Sequence, residues 1–160
     1  MHSKKIAIRN FSTKDLDKVI EINRLSLPEN YIPAFFLDLH KNCSDAFQVA
    51  EVNGEIVGYV MCRLENGFSD FKRFRVVKKG HIVSIAVRPE FRKMGIGSAL
   101  LNEVIKVLRR LVNECFMEVR ANNFNAIKLY KENGFEFFRR AHGYYQDGSD
   151  AYIMGMNFSS

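Results

Sequence analysis

The chain has 160 residues, 47% of them hydrophobic and 26% charged, with 24 Lys and Arg against 18 Asp and Glu and a formal charge of +6. This length makes one domain, taken as residues 1–160, with enough chain to bury a real core. No run reaches the roughly 18 apolar residues that cross a bilayer, and the modest basic excess leaves a nucleic acid, a ribosome or an anionic cofactor as partners beside a merely solvated surface.

Met1–Lys5 leads into a strand rather than a signal-peptide core. Cys43, Cys62 and Cys115 are odd in number and lack Cys-x-x-Cys spacing, as expected for reduced, packed thiols of a cytoplasmic protein. From Lys4 to Asn10, Ile6 and Ile8 alternate with polar neighbours, which predicts a first strand. Ser12 or Thr13 can cap the next helix, with Asp15 in its first turn and Leu16, Val19, Ile20 and Ile22 facing inward. Pro28, within Leu27–Tyr31, stops that helix. A second helix, rich in Phe35, Phe36, Leu37 and Leu39, ends near Lys41 and suits one wall of a groove.

Phe47–Val52 and Glu55–Arg63 flank Asn53-Gly54, the strongest short hairpin signal. Gly67–Lys79 mixes Lys72, Arg73, Arg75, Lys78 and Lys79 with Phe71, Phe74 and Val76. It reads as a nucleic-acid stripe, because aromatics interleave with bases, or as a twisted edge segment whose charges discourage pairing; the edge segment is the simpler expectation. Gly80 then opens a central strand, His81–Val87.

After that strand, Pro89 breaks the chain and Gly95-Ile96-Gly97 leads into an amphipathic helix. Leu100, Leu101, Val104, Ile105, Leu108, Leu111 and Val112 form its apolar stripe. A helix entered through Gly-x-Gly presents backbone N–H groups with no side chains in front, which suits a phosphate or pyrophosphate. Arg92 and Lys93 add positive charge beside the opening. Neither the dinucleotide-binding fingerprint nor the P-loop fits, since Ser98 and Leu100 replace the third glycine and no Gly-Lys-Ser/Thr follows. The bland alternative is a glycine-rich turn with no ligand.

Cys115–Arg120 reads as a second parallel-core strand, followed by a helix carrying Ala126, Ile127 and Tyr130 that Asn133-Gly134 terminates. Phe135–Ala141 and Ala151–Phe158 read as a closing antiparallel pair joined through Tyr144–Gly148. The order βαα-βββ-αβ-αββ predicts an α/β (α+β) fold. Its sheet is mixed, seven-stranded and largely antiparallel, with parallel central strands and about four helices on both faces.

The run Arg92-x-x-Gly95-x-Gly97 after Ala86-Val87-Arg88-Pro89 resembles the acetyl-CoA-binding signature of the GNAT acyltransferases. Glu118-Val119-Arg120-x-Asn122-Asn123-x-x-Ala126-x-x-Leu129-Tyr130-x-x-x-Gly134-Phe135 is similar to a block of the N-terminal acetyltransferases of the RimI and NatA types, with Asn122 in place of the usual Ser. Leu27–Tyr31, Gly80–Val87 and Tyr144–Tyr152 resemble the NatA-type branch in the same way, so the likeness spans nearly the whole chain.

The resemblance implies acetyl transfer from acetyl-CoA to a free α-amine, directly within a ternary complex, with no metal. The backbone from Val83 through Ser84, Ile85 and Ala86 to Val87 would hold the acetyl carbonyl and pantetheine arm, a contribution of roughly 3 kcal/mol. Arg92, Lys93, Met94, Gly95, Ile96, Gly97 and Ser98 would hold the pyrophosphate. Asn123 would touch the CoA arm or cap its helix, or both.

Tyr130 would hydrogen-bond or protonate the departing sulfur, against the plainer reading of a core aromatic. An ammonium cannot attack, so a base is needed. The resemblance offers Glu118 and Glu29, while His81 is of the side-chain type that exchanges protons near neutrality; the three stay open, with a water relay expected. Tyr31, Tyr144 and Tyr145, with Glu29, would grip the substrate's first residues. Cys115 is not expected to act as a nucleophile. Expected partners are protein N-termini and, through Lys72, Arg73, Lys78 and Lys79, the ribosome; no membrane is involved, and a monomer or weak dimer is expected. The alternatives are a family member acting on lysine or a small amine, or a noncatalytic RNA- or ribosome-binding module.

Overall fold

Local signals place most of the elements. The computed structural model describes residues 5–159. In chain order these form β1 (Ile6–Asn10), α1 (Leu16–Ser26), α2 (Pro33–Asn42), β2 (Phe47–Val52), β3 (Glu55–Phe68), β4 (Val76–Val87), α3 (Ile96–Leu111), β5 (Glu114–Arg120), α4 (Phe124–Glu132), β6 (Glu136–Ala141) and β7 (Ala151–Asn157). The strands make one mixed sheet ordered β1-β2-β3-β4-β5-β7-β6. Pairing is parallel between β4 and β5 and antiparallel for β1/β2, β2/β3, β5/β7 and β6/β7. Among the described residues no helix is long and apolar enough to cross a membrane.

One compact unit joins residues up to Arg63 with Ser84–Val107. Its entry helix is capped reciprocally: the Ser12 hydroxyl accepts from the Lys14 N–H, and the Asp15 carboxylate accepts from the Ser12 N–H at 2.8 Å. Asp15 also takes two hydrogen bonds from the Arg9 guanidinium, at 2.8 and 2.9 Å, which ties β1 to the start of α1. Val19, Ile20 and Ile22 are buried as their spacing predicts, while Leu16 is only half-buried. Pro33 opens α2, where its missing N–H is no loss. Phe11 stacks on Phe47 with ring centres 4.1 Å apart, and Phe36 meets Tyr59 edge-on at 6.4 Å. Burial of each such side chain contributes roughly 1.5–3 kcal/mol. Asn53 (φ 52°) and Gly54 (φ 83°) both take positive φ, the turn that matches strand twist between β2 and β3.

The other unit joins Leu64–Val83 with the described residues from Leu108 onward. Cys115, Met117, Val119, Ile127, Phe135, Ile153 and Met154 fill its core. Leu111, expected on the apolar stripe of α3, is 42% exposed. Gly80 has a packing reason to be glycine: a Cβ there would meet the Leu108 side chain at 2.8 Å.

The stretch Gly67–Lys79 departs from its expectation. It is no edge segment, since β3 runs on to Phe68, β4 begins at Val76, and both are interior in a sheet whose edges are β1 and β6. The tight turn between them is pinned from below. Buried Glu114 accepts from the Asp70 N–H at 2.9 Å and from the Ser69 hydroxyl, whose oxygen accepts in turn from the Phe71 and Lys72 N–H groups. Lys79, expected at a ribosome-facing surface, is 7% exposed. Its ammonium is drawn inward by the Phe68 carbonyl (2.9 Å) and the Asp70 carboxylate (2.8 Å), partners good enough to offset desolvation.

Candidate functional site

The parallel ladder between β4 and β5 covers Lys79–His81 against Glu114–Phe116 and stops there, although both strands continue. His81 and Phe116 are its last pair. Strand alternation turns Glu118 to the same face as Phe116, and His81 Nε2 lies 2.7 Å from Glu118 Oε2. The Phe116 ring stacks on the imidazole, centroids 4.5 Å apart and planes 6° from parallel, and the Lys79 ammonium lies 4.5 Å from the same ring centre. His81 and Glu118 side chains are only 13% and 16% exposed. A carboxylate accepts, so whenever the ring is neutral Nε2 carries its proton and Nδ1 the lone pair. His81 Nδ1 is buried and has no hydrogen-bond partner among the described residues. Two of the three base candidates are thus one unit.

Tyr130 is buried on α4, with its ring edge-on to Phe135 at 6.1 Å. Burial pushes its hydroxyl up to about 12, so it keeps its proton and can donate it. Asn123 caps α4, its side-chain oxygen accepting from the Ala126 N–H at 3.2 Å. The loop between β6 and β7 carries Tyr144 and Tyr145, whose rings meet edge-on at 4.9 Å. Arg120 holds this loop: its guanidinium lies 4.0 Å from the Tyr145 ring centre and donates to Asp147 at 3.0 Å. Cys115 is fully buried, and burial pushes its thiol up to about 12, which removes it as a nucleophile.

In the unit that holds the α3 entrance, a short 3-10 turn, Pro89–Phe91, precedes Arg92, which donates to the Val87 carbonyl at 3.1 Å. Lys93 (φ 62°) and Gly95 (φ 81°) take left-handed backbone, and the Ala99 N–H bonds the Gly95 carbonyl at 3.0 Å as α3 begins. Ile96 points into the core at 1% exposure, so its contribution to any ligand is its amide. A 16-residue helix entered through such a turn, with Arg92 and Lys93 exposed beside it, fits the pyrophosphate of CoA. Along β4, Ser84 and Ala86 turn inward while Val83, Ile85 and Val87 face the other way. The Ser84 hydroxyl is taken by the Tyr59 hydroxyl at 2.7 Å, which leaves only the backbone of Ser84 for a ligand.

Glu29 and Tyr31 sit in the loop between α1 and α2. The Tyr31 ring stacks on Phe35 at 4.8 Å and meets Phe36 edge-on at 6.1 Å. Asn23, not singled out from the sequence, holds that loop by donating to the Glu29 carbonyl (3.1 Å) and accepting from the Tyr31 N–H (3.3 Å). Its signal was present, because Asn23 falls four residues after Val19 and three after Ile20, on the buried stripe of α1. A polar side chain there must find partners. Arg120 had no comparable signal, since Asp147 lies 27 residues away. Among the described residues, no group of three or more His, Cys, Asp or Glu is arranged to hold a metal ion.

One unit thus holds a carboxylate-oriented imidazole and a buried tyrosine that stays protonated, and the other holds a glycine-entered helix start beside exposed cations, groups compatible with an acyltransferase. The acetyltransferase (GNAT) family profile matches residues 16–135, and the chain belongs to that family. An N-alpha-acetyltransferase of Sulfurisphaera tokodaii is 49% identical over 154 residues, covering 94% of this chain and 92% of the relative. The crystal structure of Ard1 from Thermoplasma volcanium superposes with a TM-score of 0.82 at 35% identity, covering 95% of this chain and 97% of that one. Naa50 of Arabidopsis thaliana, solved with the bisubstrate analogue CoA-Ac-MVNAL, gives a TM-score of 0.82 at 27% identity, covering 95% and 98%.

Proposed function

We propose that this protein transfers the acetyl group of acetyl-CoA to the free α-amine of protein N-termini, by direct attack while both substrates are bound. The observation that carries the reading is the His81–Glu118 pair, with Nδ1 of a carboxylate-held imidazole left without a partner. An N-terminal ammonium must lose a proton before its nitrogen can attack. His81 takes that proton, directly or through one water, and Glu118 stabilises the imidazolium formed. The N–C bond forms as the C–S bond breaks, the thiolate of CoA takes a proton from Tyr130, and the second proton shed by the new amide nitrogen passes through solvent to restore the Tyr130 hydroxyl. Glu29 lies in a different loop and serves to orient the amine.

The amides of Arg92–Ser98 hold the pyrophosphate, the backbone of Val83–Val87 holds the pantetheine arm and acetyl carbonyl, and Asn123 both caps α4 and meets the CoA arm. Tyr31, Tyr144 and Tyr145 form apolar walls with polar tips around the first residues of the peptide. Residues 1–160 work as one catalytic domain, a monomer or weak dimer, in the cytoplasm. Contact with the ribosome is kept as part of this reading, through Lys72, Arg73 and Lys78 but not Lys79. What supports it is the turn Ser69–Arg75, whose base is fixed by Glu114 and whose tip is cationic.

The test is release of CoA from acetyl-CoA with short peptides beginning Ser, Ala, Met-Leu or Met-Glu, and with N-terminally blocked peptides containing one lysine. Turnover on free α-amines that disappears on blocking is expected. Turnover confined to the internal lysine overturns the reading in favour of a lysine or small-amine acceptor.

A further inference from the structure

Asn23 is 1% exposed, and its primary amide is fully used. One amide hydrogen goes to the Glu29 carbonyl at 3.1 Å, the other to the Tyr59 hydroxyl at 3.1 Å, and the amide oxygen accepts from the Tyr31 N–H at 3.3 Å. The partners dictate which way round the amide sits, because a carbonyl only accepts and a peptide N–H only donates. The Tyr59 oxygen therefore receives a hydrogen from Asn23, and it shares a second hydrogen bond with the Ser84 hydroxyl 2.7 Å away. Tyr59 is fully buried, and desolvation pushes its hydroxyl up to about 12, so it remains a donor throughout the working range. The chain Ser84–Tyr59–Asn23 thus runs from β4 through β3 to both sides of Asn30 in the loop. A buried polar chain with every bond made fixes one geometry, because each alternative leaves an unpaired group that costs more than the bond it replaces.

We propose that Asn23 is a positioning residue for acetyl transfer: clamped by Tyr59 and Ser84, it sets the backbone of Glu29–Tyr31 and so aims the Glu29 carboxylate and the Tyr31 ring at the substrate's first residue. All three clamp side chains are buried, so the clamp acts through the loop backbone. The inference rests on the reading that this loop meets the substrate N-terminus. It makes peptide recognition, rather than acetyl-CoA binding, the quantity that depends on Asn23.

The test uses the whole chain carrying Asn23→Asp, which keeps size and acceptor but loses both donated bonds, or Tyr59→Phe, which removes one hydroxyl. Peptide KM, acetyl-CoA KM and kcat are measured over the same peptide panel, and amide hydrogen exchange is followed at Tyr31 and along β2. Loss of two buried hydrogen bonds should raise peptide KM about tenfold in N23D, and loss of one about threefold in Y59F, with acetyl-CoA KM held within about twofold. The ranking of peptides should compress, and Tyr31 should lose exchange protection while β2 keeps its own. Unchanged peptide KM and ranking in both variants overturn the proposal. So does a joint rise in both KM values with protection lost along β2, the mark of a merely structural residue. Should the wild-type protein turn over no free α-amine, the functional reading fails by itself. Tyr31 protection then decides the clamp: retained in N23D it overturns the proposal, lost it upholds it.

Discussion

A carboxylate 2.7 Å from one imidazole nitrogen decides which end of the ring takes a proton. Glu118 holds the Nε2 hydrogen, Phe116 fixes the ring plane, and Nδ1 is the end that can act as base. In the proposed mechanism the two residues act as one, so their losses should not multiply. His81→Gln and Glu118→Gln are each expected to lower kcat/KM by about 10²–10³-fold, and the double variant to be no worse than about threefold below the poorer single. Steady-state rates with one good peptide decide it. Multiplying losses would mean separate roles, and full activity in both singles would return the base to Glu29. In the proposed reaction Tyr130 serves the other end, at the departing sulfur. With its hydroxyl pushed up to about 12, it stays a proton donor at any ordinary assay pH. Tyr130→Phe should therefore cut kcat by about 10²-fold with peptide KM little changed, and the wild-type rate should show no basic limb from this residue below about pH 10. A fall in peptide KM binding alone, with kcat preserved, would make Tyr130 a packing residue.

At the scale of elements, β1 is joined to α1 by the Arg9–Asp15 pair, whose carboxyl is held below the usual range by the Arg9 hydrogen bonds first, then by the Ser12 N–H. A depressed carboxylate stabilises the fold fully above its unfolded value, 3.8, and loses that contribution as pH falls toward the folded value. Asp15→Asn should cost about 1–2 kcal/mol near pH 7, limited by the exposure of Arg9. The gap in Tm between variant and wild type should stay constant from about pH 7 to pH 5 and shrink below about pH 4. A gap that widens on acidification would refute the assignment. This pair also shows what the sequence could and could not reveal. The Ser12 cap, the Asn53-Gly54 turn and the stop at Gly134 are encoded within a few residues and were legible. Asp70, which draws Lys79 inward, is itself held by Glu114, 44 residues further on, so a buried lysine looked like one more surface cation. His81 and Glu118 were each legible as candidate bases, but only the β4–β5 register makes them a pair.

For the whole molecule, the question is what the turn between two interior strands presents to other molecules. Phe74 is 90% exposed at φ 58°, a conformation costing a non-glycine residue about 1–2 kcal/mol. Arg73 lies over its ring at 5.4 Å, and Arg75 and Lys78 are exposed nearby. Asp70, the acidic residue of the turn, is already paired with Lys79. A rigid tip of cations around an aromatic face suits phosphate backbone and stacked bases. Replacing Lys72, Arg73, Arg75 and Lys78 by Ala should weaken ribosome co-sedimentation and flatten its salt dependence by about three in log–log slope, while acetylation of short peptides is spared. Lys79→Ala should behave oppositely, lowering Tm by stranding a carboxylate and leaving sedimentation of the folded fraction unchanged. Unchanged sedimentation in the fourfold variant would remove the ribosome from the reading. Equal loss of peptide acetylation would mean that these cations serve the chemistry instead.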